Sequence, residues 1–358
     1  MKNKSLLFII TLLALMSFTK GHELTIFMIG DSTMANKNLE NSNQERGWGQ
    51  LLPAFLNENI RVDNHAQNGR SSKSFIDEGR WNKVISQVKP GDYVFIQFGH
   101  NDQKADSARH TEPASTFKAN LKRFISETRE KKGIPVLFTS IIRRHFDETG
   151  KLIDTHGAYI DATKEVAKET ATTLIDLNNL THNWIESLGD ETSRNFFMWE
   201  KKDNTHLNIK GAKAIALMTV NELAKAIPDL SASVRYPDFI VAKDGSGDFF
   251  TIQEAINAVP DYRKEGRTRI LIRKGLYYEK LIMAESKINV SLIGEEGTII
   301  SYDDFASKQN IFGENKSTSG SSTIYLYGNN LYVENITFQN TAGRTSRSRF
   351  CERRPDGV

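Results

Sequence analysis

Two short peptides, more than 170 residues apart in a chain of 358, carry the side chains of an acyl-transfer centre. Gly30-Asp31-Ser32 places a hydroxyl directly after the apolar run Leu24-Thr-Ile-Phe-Met-Ile29, which has the pattern of a buried strand. A Ser on the turn leaving such a strand is where a hydrolytic nucleophile would sit. Asp203-Asn204-Thr205-His206 sets a carboxylate and an imidazole three residues apart, just ahead of a helical pattern. Hydroxyl, imidazole and carboxylate supply nucleophile, base and orienter, the parts of a serine esterase. Neither peptide is diagnostic alone. Gly-Asp-Ser is a common loop tripeptide, and Asp-x-x-His is often a helix N-cap beside a surface His.

Two further peptides lie between them. Asn64-His-Ala-Gln-Asn-Gly69-Arg-Ser-Ser-Lys-Ser74 follows a second strand-like run, and Phe98-Gly-His-Asn-Asp102 follows a third, Asp92-Tyr-Val-Phe-Ile-Gln97. A turn Gly presents its backbone N–H without obstruction, and an Asn amide donates from its side chain. The Gly69 N–H, the Asn101 amide and the Ser32 N–H are the donors a tetrahedral oxyanion needs. Each block alone has a plainer reading as a turn after a strand. Their order, at the ends of successive strands, favours the chemistry.

The elements that must position these residues are legible in outline. Strand-like runs fall at 24–29, 60–63, 92–98, 134–140 and 173–177, each apolar on both faces as buried parallel strands are. Amphipathic stretches at 46–57, 73–88, 115–132 and 157–171 alternate with them, and a last helix is expected over about 207–226. The alternation predicts an α/β fold, a doubly wound three-layer αβα sandwich with a parallel sheet. Such sheets carry their sites at the carboxyl ends of the strands, where Ser32, Gly69 and Asn101 fall. Asp203 is also a candidate N-cap for the last helix.

The four blocks as a set resemble the SGNH (GDSL-like) hydrolases, specifically the rhamnogalacturonan acetylesterase group, over roughly residues 24–228. The matching residues are Gly-Asp-Ser-Thr-Met (30–34), Asn-Gly-Arg-Ser-Ser-Lys-Ser (68–74), Gly-His-Asn-Asp (99–102) and Asp-Asn-Thr-His (203–206). The resemblance implies Ser32 as nucleophile, His206 as general base and Asp203 as its orienter. It implies an oxyanion hole of Ser32, Gly69 and Asn101, with no metal or cofactor. The expected substrate is acetylated pectin, as polysaccharide or oligosaccharide. The alternatives within the class are lipase, thioesterase or acetylxylan-type activity. Arg70 and Lys73 are candidate contacts for substrate uronate, against the plainer reading of solvated loop cations. Trp48 is a candidate for stacking on a sugar ring, against a packed Trp at a helix start.

After a boundary at about 229–237, bracketed by Pro228 and Pro237, the pattern becomes β-rich. Runs at 269–273, 288–293, 323–327 and 331–338 have polar turns and no hairpin signals, with one helical pattern at 251–260. This predicts a parallel β-helix over 238–344, which the resemblance given next implies to be right-handed and incomplete. The segment resembles the N-terminal part of the pectin methylesterases through Val241-Ala-Lys-Asp-Gly-Ser-Gly-Asp248, Gly275-Leu-Tyr-Tyr-Glu279 and Asn335-Ile-Thr-Phe-Gln-Asn-Thr-Ala-Gly343. The blocks holding that family's catalytic Asp pair and Arg have no counterpart here, so methylesterase activity is not expected. A carbohydrate-binding or structural appendage is the alternative role. The stretch 345–358 breaks the β pattern and is suddenly basic. We read it as a frameshift, because a reading one base later can spell the expected continuation; a natural disordered tail is the alternative.

Composition narrows the rest. Net charge is +3, with no long basic tract outside that tail, so nucleic-acid binding is not indicated. Residues 1–21 pair a basic start with the short apolar run Leu6–Met16, which predicts an export signal cleaved near Gly21; an uncleaved anchor is the alternative. The expected location is periplasmic or secreted, with no membrane attachment after cleavage. One cysteine, Cys351, excludes an intrachain disulfide.

Overall fold

The computed structural model describes residues 24–342. The expected signal segment and the basic tail lie outside the described residues. In the N-terminal unit, five parallel strands form one sheet in the order β2-β1-β3-β4-β5. They are β1 (Leu24–Gly30), β2 (Ile60–Asn64), β3 (Tyr93–Gln97), β4 (Ile134–Phe138) and β5 (Thr173–Ile175). The chain steps from β1 outward to β2, then crosses to β3 on the other side. That reversal opens a crevice at the carboxyl ends of β1 and β3.

The pleat explains why β1 is apolar throughout. Ile26 and Met28 face one core, shared with Phe95, Val136 and Phe138, while Phe27 and Ile29 face a second, shared with Val94, Ile96 and Leu137. Helices cover both. Trp48 of α1 (Trp48–Leu51), Ile185 of α6 (Leu177–Ser193) and Ile215 and Val220 of α7 (Ile209–Ala226) pack on the first. Phe75 of α2 (Ser72–Asp77), Trp81 of α3 (Arg80–Ile85), Phe124 of α4 (Lys118–Glu130) and Val166 of α5 (Ala158–Glu169) pack on the second. This is the expected αβα sandwich.

Four details differ from the sequence reading. β2 is not apolar on both faces: Arg61 is exposed, because β2 lies at the sheet edge with one flank in water. The run at 173–177 splits, since β5 ends at Ile175 and Asp176 caps α6, its side chain accepting the Asn179 N–H. That helix was not anticipated, and Gly189, at φ 72°, interrupts its pattern. The stretch 73–88 is two helices, hinged at Gly79, which sits in the left-handed region at φ 70°.

In the C-terminal unit every strand pairing is parallel. One sheet runs β12-β10-β7-β6, with β8 also on β10, and β9 pairs with β11. The strands are β6 (Phe239–Val241), β7 (Thr268–Ile272), β8 (Gly275–Tyr278), β9 (Leu281–Met283), β10 (Val290–Tyr302), β11 (Ile324–Leu326) and β12 (Tyr332–Asn340). β10 pairs first with β7 and then, past an irregularity between Ile293 and Thr298, with β8. One helix, α9 (Ile252–Ala258), has both halves of a capping box between Thr251 and Glu254. Between the units, Pro228–Ser231 forms a single turn, α8, whose Leu230 is buried.

The junction is polar with an apolar floor. Ile240 and Leu271 join the first N-terminal core. Around them Arg46 Nε donates to the Gly245 carbonyl at 2.8 Å, Lys213 pairs with Asp248 at 2.6 Å, and Arg235 bonds Glu295.

Candidate active site

Ser32 follows β1 on a turn built by its neighbours. Asp31 is fully buried, and its Oδ1 accepts from the Thr33 N–H at 2.9 Å and the Thr33 hydroxyl at 2.8 Å. The Asp31 carbonyl accepts from the Ala35 N–H at 3.0 Å. Burial raises the Asp31 carboxyl above its usual range, against the bonds from Thr33. Gly30 is required where β1 meets β3, since a Cβ there would lie 2.7 Å from the Gln97 carbonyl oxygen.

His206 comes from the segment before α7. Its Nε2 lies 2.9 Å from Ser32 Oγ and its Nδ1 2.7 Å from Asp203 Oδ2. Asp203 Oδ1 accepts from the Thr205 and His206 N–H groups at 2.8 and 3.0 Å. The Asp203 acceptor on Nδ1 favours the tautomer with its proton there, leaving Nε2 to accept the Ser32 O–H. Partial burial would raise the Asp203 carboxyl, but the bonds from His206 and Thr205 outweigh it and hold Asp203 well below the usual carboxylate range. Asp203 is not the N-cap of α7. Asn208 takes that place, accepting the Gly211 N–H, and this leaves Asp203 to the imidazole.

Gly69 sits at φ 74° with open space around the position a Cβ would take. Its turn is tied to the nucleophile by the Gln67 N–H, which donates to the Gly30 carbonyl at 3.0 Å. Neither the Ser32 nor the Gly69 N–H has a partner among the described residues. The Asn101 amide donates to the Arg70 carbonyl at 3.2 Å, which leaves its second N–H. The structure therefore brings Ser32, Asp203 and His206 into one hydrogen-bonded chain, with Gly69 and Asn101 on linked loops beside it.

The three candidate sugar contacts fare differently. Trp48 is fully buried, its Nε1 donating to Gln97 Oε1 at 3.0 Å and its ring packed on Phe138, so it cannot stack on a sugar. Its role is to hold Gln97 at the end of β3. Arg70 Nε pairs with Glu78 at 3.0 Å, and Lys73 pairs with Asp77 one helical turn on. Neither is a free cation.

Several residues around the site escaped the sequence reading. Asp102 ends the quoted Gly99–Asp102 block yet had no role. Its carboxyl accepts from the Gly99 and Ser72 N–H groups and the Thr111 hydroxyl, and so ties the Asn101 loop to the start of α2. Burial pushes it up to about 7, although these donors pull the other way. His100 Nδ1 lies 2.9 Å from His156 Nε2, and His156 Nδ1 lies 3.0 Å from the exposed Asp154; the two buried imidazoles are 56 positions apart, and no local motif announces them. Lys37 also lies here and is treated below. Among the described residues, no three His, Cys, Asp or Glu side chains group as metal ligands, and no helix is long and apolar enough to cross a membrane.

An αβα sandwich with Ser, His and Asp so linked at its strand ends defines an SGNH-type hydrolase. The chain belongs to the GDSL-like lipase/acylhydrolase family, which it matches over residues 28–214. It is 38% identical to a rhamnogalacturonan acetylesterase of Bacillus subtilis over 231 residues, 62% of this chain and 95% of that protein. It is 28% identical to a rhamnogalacturonan acetylesterase of Emericella nidulans over 212 residues, 54% of this chain and 81% of that protein. The crystal structure of Bacillus subtilis YxiM superposes with a TM-score of 0.52 at 31% identity, covering 57% of this chain and 56% of that one. Residues 238–350 match the pectinesterase family. There the chain is 39% identical over 107 residues to a pectinesterase/pectinesterase inhibitor of Ficus pumila, spanning 19% of that protein's length.

Proposed function

We propose that the protein is an exported carbohydrate esterase that removes O-acetyl groups from pectin, on the rhamnogalacturonan backbone, through an acetyl-enzyme. The observation that carries this reading is the unbroken Ser32–His206–Asp203 chain beside two unpartnered backbone N–H groups. Ser32 Oγ attacks the acetyl carbonyl while His206 Nε2 takes its proton. The Ser32 and Gly69 N–H groups and the Asn101 amide stabilise the oxyanion. As the tetrahedral intermediate collapses, the C–O bond to the sugar breaks and His206 returns the proton to the leaving hydroxyl. A water then gives His206 a proton and attacks the acetyl-Ser32, releasing acetate and restoring the Ser32 O–H. Asp203 stays ionised and steadies the imidazolium in both halves. The names of the two acetylesterase relatives support the substrate, and the pectinesterase-like second unit supports a pectin context.

We read the C-terminal unit as the opening coils of a right-handed parallel β-helix, without methylesterase chemistry. Tyr278, Tyr327 and Tyr332 are each at least half exposed, which favours a carbohydrate-binding role for it. Export rests on the first 21 residues.

The test is release of acetate and methanol from acetylated, methylated pectin rich in rhamnogalacturonan, by wild type and Ser32→Ala. Acetate from wild type alone, without methanol, is the expected result. Acetate from Ser32→Ala would overturn the mechanism, and methanol from either protein the reading of the second unit.

A further inference from the structure

Lys37 lies five residues past Ser32, and its side chain is 3% exposed. Its Nζ pairs with Glu45 Oε1 at 2.8 Å and donates to Asn68 Oδ1 at 2.6 Å. Its backbone is fixed as well. The Lys37 N–H donates to Gln50 Oε1 at 3.0 Å, and its carbonyl accepts from Gln50 Nε2 at 3.3 Å. Burying an ammonium is expensive, and burial lowers the Lys37 pKa, opposed by Glu45, Asp31 and Asp203. An apolar residue would fill the space without that cost, so the charge calls for a reason.

The partners supply one. Asn68 directly precedes Gly69 on the turn that holds the Gly69 N–H. Glu45 forms an isolated bridge with Asn208, and the next N–H, from Arg46, donates to the Leu207 carbonyl at 2.9 Å. One buried ammonium therefore joins the segment after Ser32, the turn that carries Gly69 and the segment that runs beside His206. Direct contact with substrate is not open to it, because the side chain is enclosed and committed to two partners.

We propose that Lys37, clamped by Glu45, is a positioning residue for the oxyanion pocket, fixing through Asn68 the turn that carries the Gly69 N–H. The proposal rests on the acyl-enzyme reading above. Losing one oxyanion donor lowers kcat by about 10²–10³-fold, and a loosened donor loses part of that.

The experiment uses full-length Lys37→Met, Asn68→Ala and the double variant, with 4-nitrophenyl acetate as substrate and phenylboronic acid as the tetrahedral-adduct probe. Asn68 is exposed, so its replacement does not endanger folding. Each single variant is expected to lower kcat about 10-fold to 100-fold with KM within about twofold, and to raise the boronate Ki by a similar factor. The double variant should be no slower than Lys37→Met, because both changes cut one linkage. Wild-type kcat in Asn68→Ala, additive losses in the double variant, or an unchanged boronate Ki would each overturn the proposal. Ser32→Ala separates the two levels. If it retains activity, the acyl-enzyme reading fails; if it is inactive while Asn68→Ala matches wild type, only the Lys37 proposal fails.

Discussion

The two units are both built from parallel strands, and they cover those strands in different ways. In the N-terminal sheet, β1 and β3 are buried almost throughout, because crossover helices cover both faces. In the C-terminal unit β12, the last strand among the described residues, is exposed along most of its length, with Tyr332, Val333 and Phe338 in solvent. A βαβ unit carries its own cover in the connecting helix. In the β-helix proposed for the second unit the cover comes instead from neighbouring coils. Cover is thus local in the first unit and shared between coils in the proposed second.

The largest effect that could break this contrast concerns chemistry. Ser32→Ala should lower acetyl-ester hydrolysis about ten-thousandfold or more, since it removes the one nucleophile of an intact site. Substantial activity left in that variant would place a working site elsewhere, the second unit included. Next comes stability. Residues 236–358 made alone should be cut by protease at concentrations that leave 22–235 intact, because β12 stands at the end of its described sheet and is exposed along most of its length. A cooperative, protease-resistant fragment would erase the difference between the units.

A buried carboxyl in each unit sharpens the comparison. Asp102 accepts only from N–H and O–H donors and is pushed up to about 7 by burial. Asp304 is also buried, but Lys280, Lys308 and Lys316 ring it at 2.7–3.0 Å. They outweigh its desolvation and hold it well below the usual carboxylate range. The signs are opposite. A raised folded pKa gives a contribution that is complete below pH 4 and is lost as pH rises through about 7. A depressed one gives a contribution that is present above about pH 4 and is lost only in stronger acid. Burial also holds His100 and His156 below the usual imidazole range, and they act with the opposite sign as pH falls. The Asp102 contribution is therefore read as a difference: between pH 8 and pH 5 the wild-type melting temperature of the N-terminal unit should gain on that of Asp102→Asn, while Asp304→Asn should keep a constant distance from wild type in the C-terminal unit. Calorimetry over that range checks both, and a constant difference for Asp102→Asn would contradict the assignment.

What the sequence disclosed follows from how local each signal is. β1 announced itself because two cores meet its two faces, so every position is apolar. Ser32, Gly69 and Asn101 could be placed because strand-end turns are short and rich in the residues such turns need. β2 and β5 were found at 60–63 and 173–177, but at the edges their pattern is diluted, by exposed Arg61 in β2 and half-buried Thr173 and Leu174 in β5. Two things were hidden. Helix α6 was masked by Gly189 and by a strand that stops two residues before it begins. The Lys37–Glu45–Asn68 linkage joins residues whose spacing has no period, so only the folded backbone brings them together. Trp48 shows the reverse error. Its type pointed to sugar stacking, while its burial against Gln97 and Phe138 makes it part of the frame.

The smallest expected effect tests whether charge near the site matters when it is already paired. Lys73 is next to the Ser72 that binds Asp102, so sequence proximity would rank it high among substrate contacts. Its ammonium instead pairs with Asp77 four residues along α2, with both side chains more than a third exposed. Such pairs contribute about 0.3–0.5 kcal/mol and are screened by salt. Lys73→Ala should therefore change kcat/KM on acetylated rhamnogalacturonan less than twofold, and the small residual effect should vanish by about 0.5 M salt. A loss of tenfold or more on the polyanionic substrate, absent with 4-nitrophenyl acetate, would mean that Lys73 leaves Asp77 for a uronate when substrate binds. The helix pair would then be a resting state of the binding surface, and the frame around Ser32 would extend one helix further than its hydrogen bonds indicate.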